Sequence, residues 1–304
     1  MYGLAVQTWK RKVPRRYQQM VIEARLAGRR AVDSERPLPD FLVIGAQRSG
    51  TSSLYKWLEA HPAIVASLRK ETEFLTARWC HGLGWYRGHF PSRYRRRFES
   101  RLRGRPLMTF EASPNYLFHP WAPARAATLV PDARLVALLR NPVDRAFSHY
   151  LHEVRGGRET LSFEAALDAE AQRLEGEEQA MAVDPCYRSL AWEQKSYVRR
   201  GRYAEQVERW HHAFAPDRLL VVRSEDLYAD TPGAYGRIVK FLGLQPWAPA
   251  SFANHSYGGR AAPTAAPETA AKLALATRRR LVDEFAEDNQ RLYELLGTDL
   301  GWDS

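Results

Sequence analysis

The feature that most constrains this chain is the segment from Phe41 to Leu54, which reads FLVIGAQRSGTSSL. Its apolar start predicts a buried strand, Gly45 and Gly50 bracket a short loop, and residues 52–60 predict a helix. A loop between a strand and a helix N-terminus gathers backbone N–H groups and the positive end of the helix dipole in one small volume. The segment therefore predicts a cradle for a phosphate or a similar anion.

This loop resembles the phosphate-binding loop of ATPases but lacks one of its essential residues. The ATPase pattern G-x-x-x-x-G-K-[ST] places a lysine directly after the second glycine, where it reaches the β- and γ-phosphates. This chain has Thr51 at that position, and its cation comes earlier, at Arg48 inside the loop. A P-loop kinase or NTPase is therefore an alternative function that the missing lysine disfavours.

Short apolar segments alternate with amphipathic segments through the rest of the chain. We predict strands at residues 41–44, 63–67, 107–111, 134–139 and 219–223. We predict helices at residues 52–60, 142–154, 203–214, 231–242 and 266–296. Apolar strands separated by helices are typical of a parallel sheet with helices on both faces, so the predicted fold class is α/β. Such sheets bind ligands at the carboxyl ends of their strands.

The N-terminal segment differs in composition from the remainder. Residues 1–37 are rich in arginine and lysine and close with the sequence RP. We interpret residues 1–37 as a basic helical extension with a linker, outside the core. Residues 38–304 are then predicted to form a single domain, a length that supports a sizeable core.

Charge and cysteine content restrict the partners and the compartment. The net charge of +10 and the pI near 9.7 favour anionic partners, but charge alone does not choose among nucleotides, acidic glycans, nucleic acids and membranes. The two cysteines, Cys80 and Cys186, are far apart, which excludes a disulfide scaffold and favours a reducing compartment. We find no apolar run of about 20 residues and no signal-peptide pattern. We therefore predict a cytoplasmic protein.

A second phosphate-binding signal follows the predicted strand at 134–139. Arg140 lies where that strand ends, and Ser148 lies about two turns into the next helix. A guanidinium and a hydroxyl at the carboxyl end of a strand can hold one phosphate from two sides. The structural alternative is an ion pair between Arg140 and Asp144, with Ser148 on the helix surface.

Together these segments resemble the sulfotransferase family that uses 3′-phosphoadenosine 5′-phosphosulfate. Residues 45–54 match the family's 5′-phosphosulfate loop, and residues 140–148 match its 3′-phosphate motif. Further segments agree, at 201–210, 219–227 and 241–244. The resemblance implies a P-loop-like α/β fold, transfer of a sulfuryl group from this donor, and no metal ion.

Within that family the chain is most similar to the heparan-sulfate branch and its bacterial relatives. The similarity rests on residues 70–75, 84–86, 110–116 and 257–263. The branch usually has lysine at the positions of Ala112 and Gly258. These departures leave a further alternative, a degenerate protein that binds the donor without turnover.

The resemblance also implies roles for individual residues. The 5′-phosphosulfate would be held by the loop, namely Arg48, Ser49, Gly50, Thr51, Ser52 and Ser53. The 3′-phosphate would be held by Arg140, Ser148, Gly259 and Arg260. Arg48 would also stabilise charge that develops during transfer. Tyr203 is expected either to contact the adenine or to lie in the core.

A carboxylate next to the predicted strand at 63–67 is our candidate general base. Glu71 matches the family's catalytic glutamate and would take the proton of an acceptor hydroxyl or amine. Its structural alternative is an ion pair with a neighbouring cation such as Lys70. Glu73 is a local rival, and His149 and His152 are further alternatives, because many sulfotransferases use a histidine base.

The acceptor is predicted only as a class. A carbohydrate is the first expectation from the resemblance, and a lipid or another small molecule follows. Residues 92–105 hold seven arginines, which suit an anionic acceptor, a membrane or nucleic acid, although such a run is more often a solvated helix face. A nucleic-acid-binding protein would leave the paired phosphate motifs unexplained, and we find no base-reading or RNA-binding motif.

Overall fold

Five parallel strands form one central sheet in a computed structural model that describes residues 15–32, 36–255 and 273–303. The strands are β1 (Phe41–Gly45), β2 (Ile64–Ala66), β3 (Met108–Ala112), β4 (Arg134–Leu139) and β5 (Leu219–Arg223). Their order across the sheet is β2-β3-β1-β4-β5. All four neighbouring pairs are parallel, so the carboxyl ends of all five strands meet at one edge of the sheet.

Helices lie between the strands, and others precede β1 and follow β5. The first group is α1 (Arg15–Val32), α2 (Thr51–Ala60), α3 (Leu83–Arg87), α4 (Arg93–Leu102), α5 (Ala122–Leu129), α6 (Pro142–Arg155) and α7 (Phe163–Asp168). The second group is α8 (Glu170–Leu174), α9 (Glu177–Val183), α10 (Leu190–Gln194), α11 (Tyr203–Ala213), α12 (Ser224–Ala229), α13 (Thr231–Phe241) and α14 (Leu275–Leu296). Within the described ranges, we find no helix with the length and apolar character needed to cross a bilayer.

The sheet has a hydrophobic core on each face, because successive side chains of a strand point to opposite sides. Leu42 and Ile44 of β1 belong to a cluster with Trp210 of α11 and with residues of α14. Phe41 and Val43 belong to a second cluster with residues of α2 and α13. Helices therefore cover both faces, which confirms the predicted fold class.

The strand order places the two predicted phosphate motifs side by side. The chain runs from β1 to β2 and β3 on one side, then crosses to β4 and β5 on the other. This reversal makes β1 and β4 neighbours, with Val43 opposite Val136 and Gly45 opposite Ala137. The crevice outside the carboxyl ends of two such strands is where open α/β sheets bind ligands.

The predicted strands and main helices match the observed ones within two residues where the structure describes them, and residues 134–139 and 219–223 match completely. The first part of the predicted helix at 266–296 lies outside the described residues. The sequence interpretation missed the short helices α7 to α10. Each of them has five to seven residues, which is too short for an amphipathic period to appear in the sequence.

The N-terminal helix is not wholly outside the core, contrary to our expectation. The side chain of Leu26 in α1 is buried in the cluster of Leu42 and Ile44. Arg29 also donates a hydrogen bond to the carbonyl of Gly88, at 3.0 Å. These contacts attach α1 to the sheet domain through the end of α3, so the domain boundary at residue 37 stays a prediction.

The two cysteines are joined, although their number and separation had favoured a reducing compartment. Cys80 and Cys186 form a disulfide with their Cα atoms 5.5 Å apart. The bond ties the 3₁₀ turn at Trp79–His81 to the segment between α9 and α10. The sequence interpretation failed here because 106 residues separate the pair and the fold alone brings them together. The cytoplasmic location stays a prediction.

We expect this disulfide to stabilise the folded chain. Closing a loop of this length restricts the unfolded state, so replacing both cysteines with serine should lower the free energy of unfolding by about 2–4 kcal/mol. Urea unfolding with and without dithiothreitol measures the effect. The double-serine variant is the control, because it should not respond to dithiothreitol. Titration of two free thiols in the unreduced, denatured protein would contradict the assignment.

Candidate functional site

The loop after β1 forms an anion cradle at the carboxyl edge of the sheet. Gly50 begins α2 with a left-handed φ of 95°, a conformation that glycine adopts at least cost. A Cβ atom there would also lie 2.8 Å from the hydroxyl of Tyr228. Among the described residues, the N–H groups of Gly50, Thr51 and Ser52 have no acceptor, as expected at a helix N-terminus. These three donors are available to an anion.

Ser49 and Ser53, the other two serines of the loop, already form contacts within the protein. These contacts reduce the number of loop N–H groups that are available to a phosphate. The Ser49 amide donates to the carbonyl of Ala46 at 3.3 Å, and the Ser53 amide donates to that of Gly50 at 3.0 Å. The Ser53 hydroxyl contacts Asn254 and accepts from the His255 amide at 2.9 Å. The amides of Ser49 and Ser53 thus already have acceptors within the loop, and the contacts of these two residues to the phosphate stay a prediction.

Arg48 joins the two predicted phosphate motifs. Its Nε donates to the hydroxyl of Ser148 at 3.1 Å, across 100 residues of sequence. Nη1 of Arg140 donates to the Arg48 carbonyl at 3.3 Å. Arg48 itself has a left-handed φ of 72°, which is uncommon for a residue with a side chain. The structure therefore brings Arg48, Arg140 and Ser148 together at the carboxyl edge of the sheet, the edge where the sequence analysis placed both motifs.

The structural alternative for the second motif is excluded by the partner of Asp144. Asp144 forms an ion pair with Arg278 of α14. The carboxamide of Asn141 caps α6 by accepting from the amides of Val143 and Asp144. Arg140 therefore stays at the end of β4, half-buried and directed toward the loop after β1.

Tyr203 lies in the core, which was the structural alternative to a contact with adenine. Its side chain is fully buried, and its hydroxyl donates to the carbonyl of Arg140 at 2.9 Å. Because the ring is enclosed by protein, the expected contact with an adenine is not supported, and Tyr203 instead holds the backbone of Arg140 in place. Gly259 and Arg260, the remaining predicted contacts to the 3′-phosphate, lie outside the described residues, as does Gly258.

The candidate base Glu71 lies at the same edge of the sheet. Its amide donates to the carbonyl of Ala112 at 3.0 Å, which places it beside the end of β3. Its side chain is 47% exposed and forms an ion pair with Lys70. The pair that we gave as the structural alternative is thus present. An exposed pair of this kind contributes little to stability, so it does not by itself account for a carboxylate at this position.

Glu73, two residues further on, has a different environment. Burial, together with the charge of Glu71, raises the pKa of its carboxyl to about 7. The hydroxyl of Thr76 donates to the Glu73 carboxylate at 2.8 Å. A carboxylate with a pKa near 7 can accept a proton efficiently at neutral pH. Glu73 is therefore a stronger rival to Glu71 than the sequence indicated.

The segment 71–75 is held by a buried carboxylate that the sequence interpretation missed as a functional element. Glu111 of β3 is fully buried, and burial raises its pKa. Its carboxylate accepts hydrogen bonds from the hydroxyls of Thr72, Tyr86, Ser113 and Tyr116. Ser113 also accepts from the Glu73 amide at 3.1 Å, and Tyr116 from the Phe74 amide at 3.0 Å. The available signal was a glutamate near the end of a predicted strand.

The two histidines that we considered as bases lie on α6, whereas Glu71 lies beside the end of β3. His149 is fully buried, and burial followed by the charge of Arg145 lowers its pKa well below the usual range. His152 lies on the exposed side of α6, and burial with the charge of Arg48 lowers its pKa. A candidate base must reach the acceptor, and a wholly buried imidazole does not. His149 is therefore excluded as the base.

Residues 38–256 match the family described as Sulfotransferase domain. A crystal structure of a sulfotransferase from Alicyclobacillus acidocaldarius superposes with a TM-score of 0.64 and 30% identity, and the match covers 88% of this chain and 100% of that chain. The residues of the family match include all five strands.

Two curated mouse relatives are similar over part of their length. Heparan sulfate glucosamine 3-O-sulfotransferase 3A1 is 28% identical over 89% of this chain and 66% of its own length. Bifunctional heparan sulfate N-deacetylase/N-sulfotransferase 4 is 34% identical over 69% of this chain, and the match spans 23% of that relative. The chain therefore belongs to the sulfotransferase family of enzymes, as its two phosphate-binding motifs predicted.

Proposed function

We propose that the protein transfers a sulfuryl group from 3′-phosphoadenosine 5′-phosphosulfate to a hydroxyl or amine of a carbohydrate acceptor. The observation that carries this proposal is the junction of Arg48, Ser148 and Arg140 between two anion-binding motifs. A donor with phosphates at both its 5′ and its 3′ position needs two such motifs close together. A P-loop kinase needs a lysine after Gly50 and has no use for the second motif.

The residues present fit such a donor. Gly50, Thr51 and Ser52 offer backbone N–H groups at a helix N-terminus, and the Ser49 hydroxyl is buried without a partner among the described residues. We assign the 5′-phosphate to these groups, and the 3′-phosphate to Arg140 with Ser148. When bound, the donor supplies a sulfuryl group attached to a phosphate that can leave.

Arg48 is proposed as the electrostatic catalyst. Its backbone lies in the cradle, while its Nε is oriented by Ser148 at the second motif. A fixed guanidinium between the two motifs can stabilise negative charge that develops there during transfer. Among the described residues, we find no cluster of three or more metal-ligating side chains, and our proposal assigns no metal to the site.

Glu71 is proposed as the general base, with Glu73 as the competing candidate. Glu71 is half-exposed at the rim beside β3, so an acceptor can reach it. Glu73 is more desolvated and has a raised pKa. A carboxylate that takes the acceptor's proton during attack contributes about 10²–10⁴-fold to the rate.

The acceptor class rests on the relatives alone. Both curated relatives are named for sulfation of heparan sulfate, which is a carbohydrate. We therefore propose a carbohydrate acceptor, with a lipid or another small molecule as the alternative. Ala112, at the end of β3, stands where the related branch usually has lysine, so a degenerate protein without turnover remains the outcome to test against.

The donor assignment predicts metal-independent binding of 3′-phosphoadenosine 5′-phosphate. We expect calorimetric titration to detect this bisphosphate in the presence of EDTA. Arg140→Ala should abolish the binding, because it removes the guanidinium that faces the 3′-phosphate. Arg237→Ala is the matched control, since it removes an arginine on α13 that is 61% exposed. Equal or tighter binding of Mg-ATP would overturn the donor assignment.

The assignment of the base predicts a split between turnover and binding. Glu71→Gln should lower turnover by about 10²–10⁴-fold while the affinity for the bisphosphate is unchanged. Glu73→Gln is the matched control and should keep turnover. If Glu73 is instead the base, the wild-type rate rises with pH through about 7, as its carboxyl loses its proton, and Glu73→Gln abolishes turnover. That result would reassign the role.

A further inference from the structure

Helix α4 presents an exposed apolar row that the proposed reaction does not use. Tyr94, Phe98 and Leu102 are spaced four residues apart, so they lie on one side of the helix. Their exposed fractions are 84%, 64% and 70%. Single exposed apolar residues are ordinary, but three large ones in a row on one helix mark an interaction site.

A row of arginines lies directly beside the apolar row. Arg93, Arg97 and Arg101 each precede one member of that row, and all three are exposed. None of the three forms an ion pair within the described part of the chain. The opposite side of α4 instead attaches the helix to the domain, because Arg96 pairs with Asp40 at 2.8 Å. Arg95 pairs with Glu99 within the helix, at 2.6 Å.

The contacts of α4 place it far from the candidate site. Arg96 binds Asp40, which directly precedes β1, and Arg103 donates to the carbonyl of Pro62, just before β2, at 2.7 Å. The helix therefore lies at the amino edge of the sheet, while the cradle lies at the carboxyl edge. An acceptor held at α4 would not reach Arg48, so the arginine run does not serve acceptor recruitment.

Positive charge continues from α4 onto the neighbouring surface. The pKa of Arg29 in α1 is lowered to about 10, chiefly by burial and then by the charges of Arg36, Arg95 and Arg25. Cations near Arg29 lower its pKa, so Arg25 of α1 and Arg95 of α4 both add positive charge on this side of the protein.

We propose that α4 is a docking surface for a membrane leaflet that contains anionic lipids. An amphipathic helix in the plane of a leaflet buries its apolar row among the acyl chains, while flanking arginines contact the headgroups. The rows 94/98/102 and 93/97/101 have this arrangement. Nucleic acid would engage the arginines but would leave three apolar side chains in water. The proposal is independent of the sulfotransferase reaction.

Vesicle co-sedimentation of the full chain tests this surface. We expect binding to phosphatidylcholine vesicles that contain about 30 mol % phosphatidylglycerol, and no binding to phosphatidylcholine alone. Replacing Arg93, Arg97 and Arg101 with glutamine should weaken binding on the order of 100-fold, because each basic residue at an anionic surface contributes about fivefold. The matched control replaces Arg237, Arg280 and Arg291, which lowers the net charge equally on α13 and α14.

A second pair of variants tests the apolar row. Replacing Tyr94, Phe98 and Leu102 with serine should abolish binding at moderate salt, whereas the same change at the exposed Val183, Leu190 and Leu275 should not. Equal loss in a variant and its control would overturn the proposal. So would binding to duplex DNA that survives loss of the apolar row, or a dimer that the apolar variant converts to a monomer.

Discussion

The pairing of β1 with β4 is the constraint on which the candidate site depends. Because these strands are parallel neighbours, the loop after Gly45 and the end of β4 at Arg140 meet at one edge of the sheet. One strand inserted between them would move the two loops apart by about 5 Å, beyond hydrogen-bond reach. The bond from Arg48 to Ser148 is therefore a direct product of the strand order.

A second constraint acts on the acceptor side, where one buried carboxylate organises a whole segment. Glu111 accepts from four hydroxyls, and two of the donors, Ser113 and Tyr116, also accept amides of the segment 71–75. Burying a charge is costly unless its lone pairs are satisfied, and four donors meet that requirement. Glu71 and Glu73, only two residues apart on this segment, have different surroundings: the side chain of Glu71 is 47% exposed, whereas burial raises the pKa of Glu73.

The sequence predicted those site residues whose positions follow from their immediate neighbours in the chain. Arg48 and Arg140 each follow an apolar strand, and parallel strand ends converge in any α/β sheet. Tyr203 was ambiguous because helical periodicity identifies a buried face without naming the neighbours of that face. The Cys80–Cys186 bond and the bonds of Thr72 and Tyr86 to Glu111 carry no local signal, since the partners are between 25 and 106 residues apart and meet only after folding. The amides of Ser49 and Ser53 have acceptors that depend on the loop's own turns.

The disulfide gives the chain a covalent topology that its linear sequence does not have. Residues 80–186 form a closed ring that contains β3, β4 and α6, so the second anion motif and Glu111 lie inside the ring. The cradle at residues 45–53 and the base candidates lie on the tail that enters it. A single cut of the backbone within the ring would leave the polypeptide in one covalent piece, whereas a cut between residues 54 and 79 would separate the cradle from the residues that complete it.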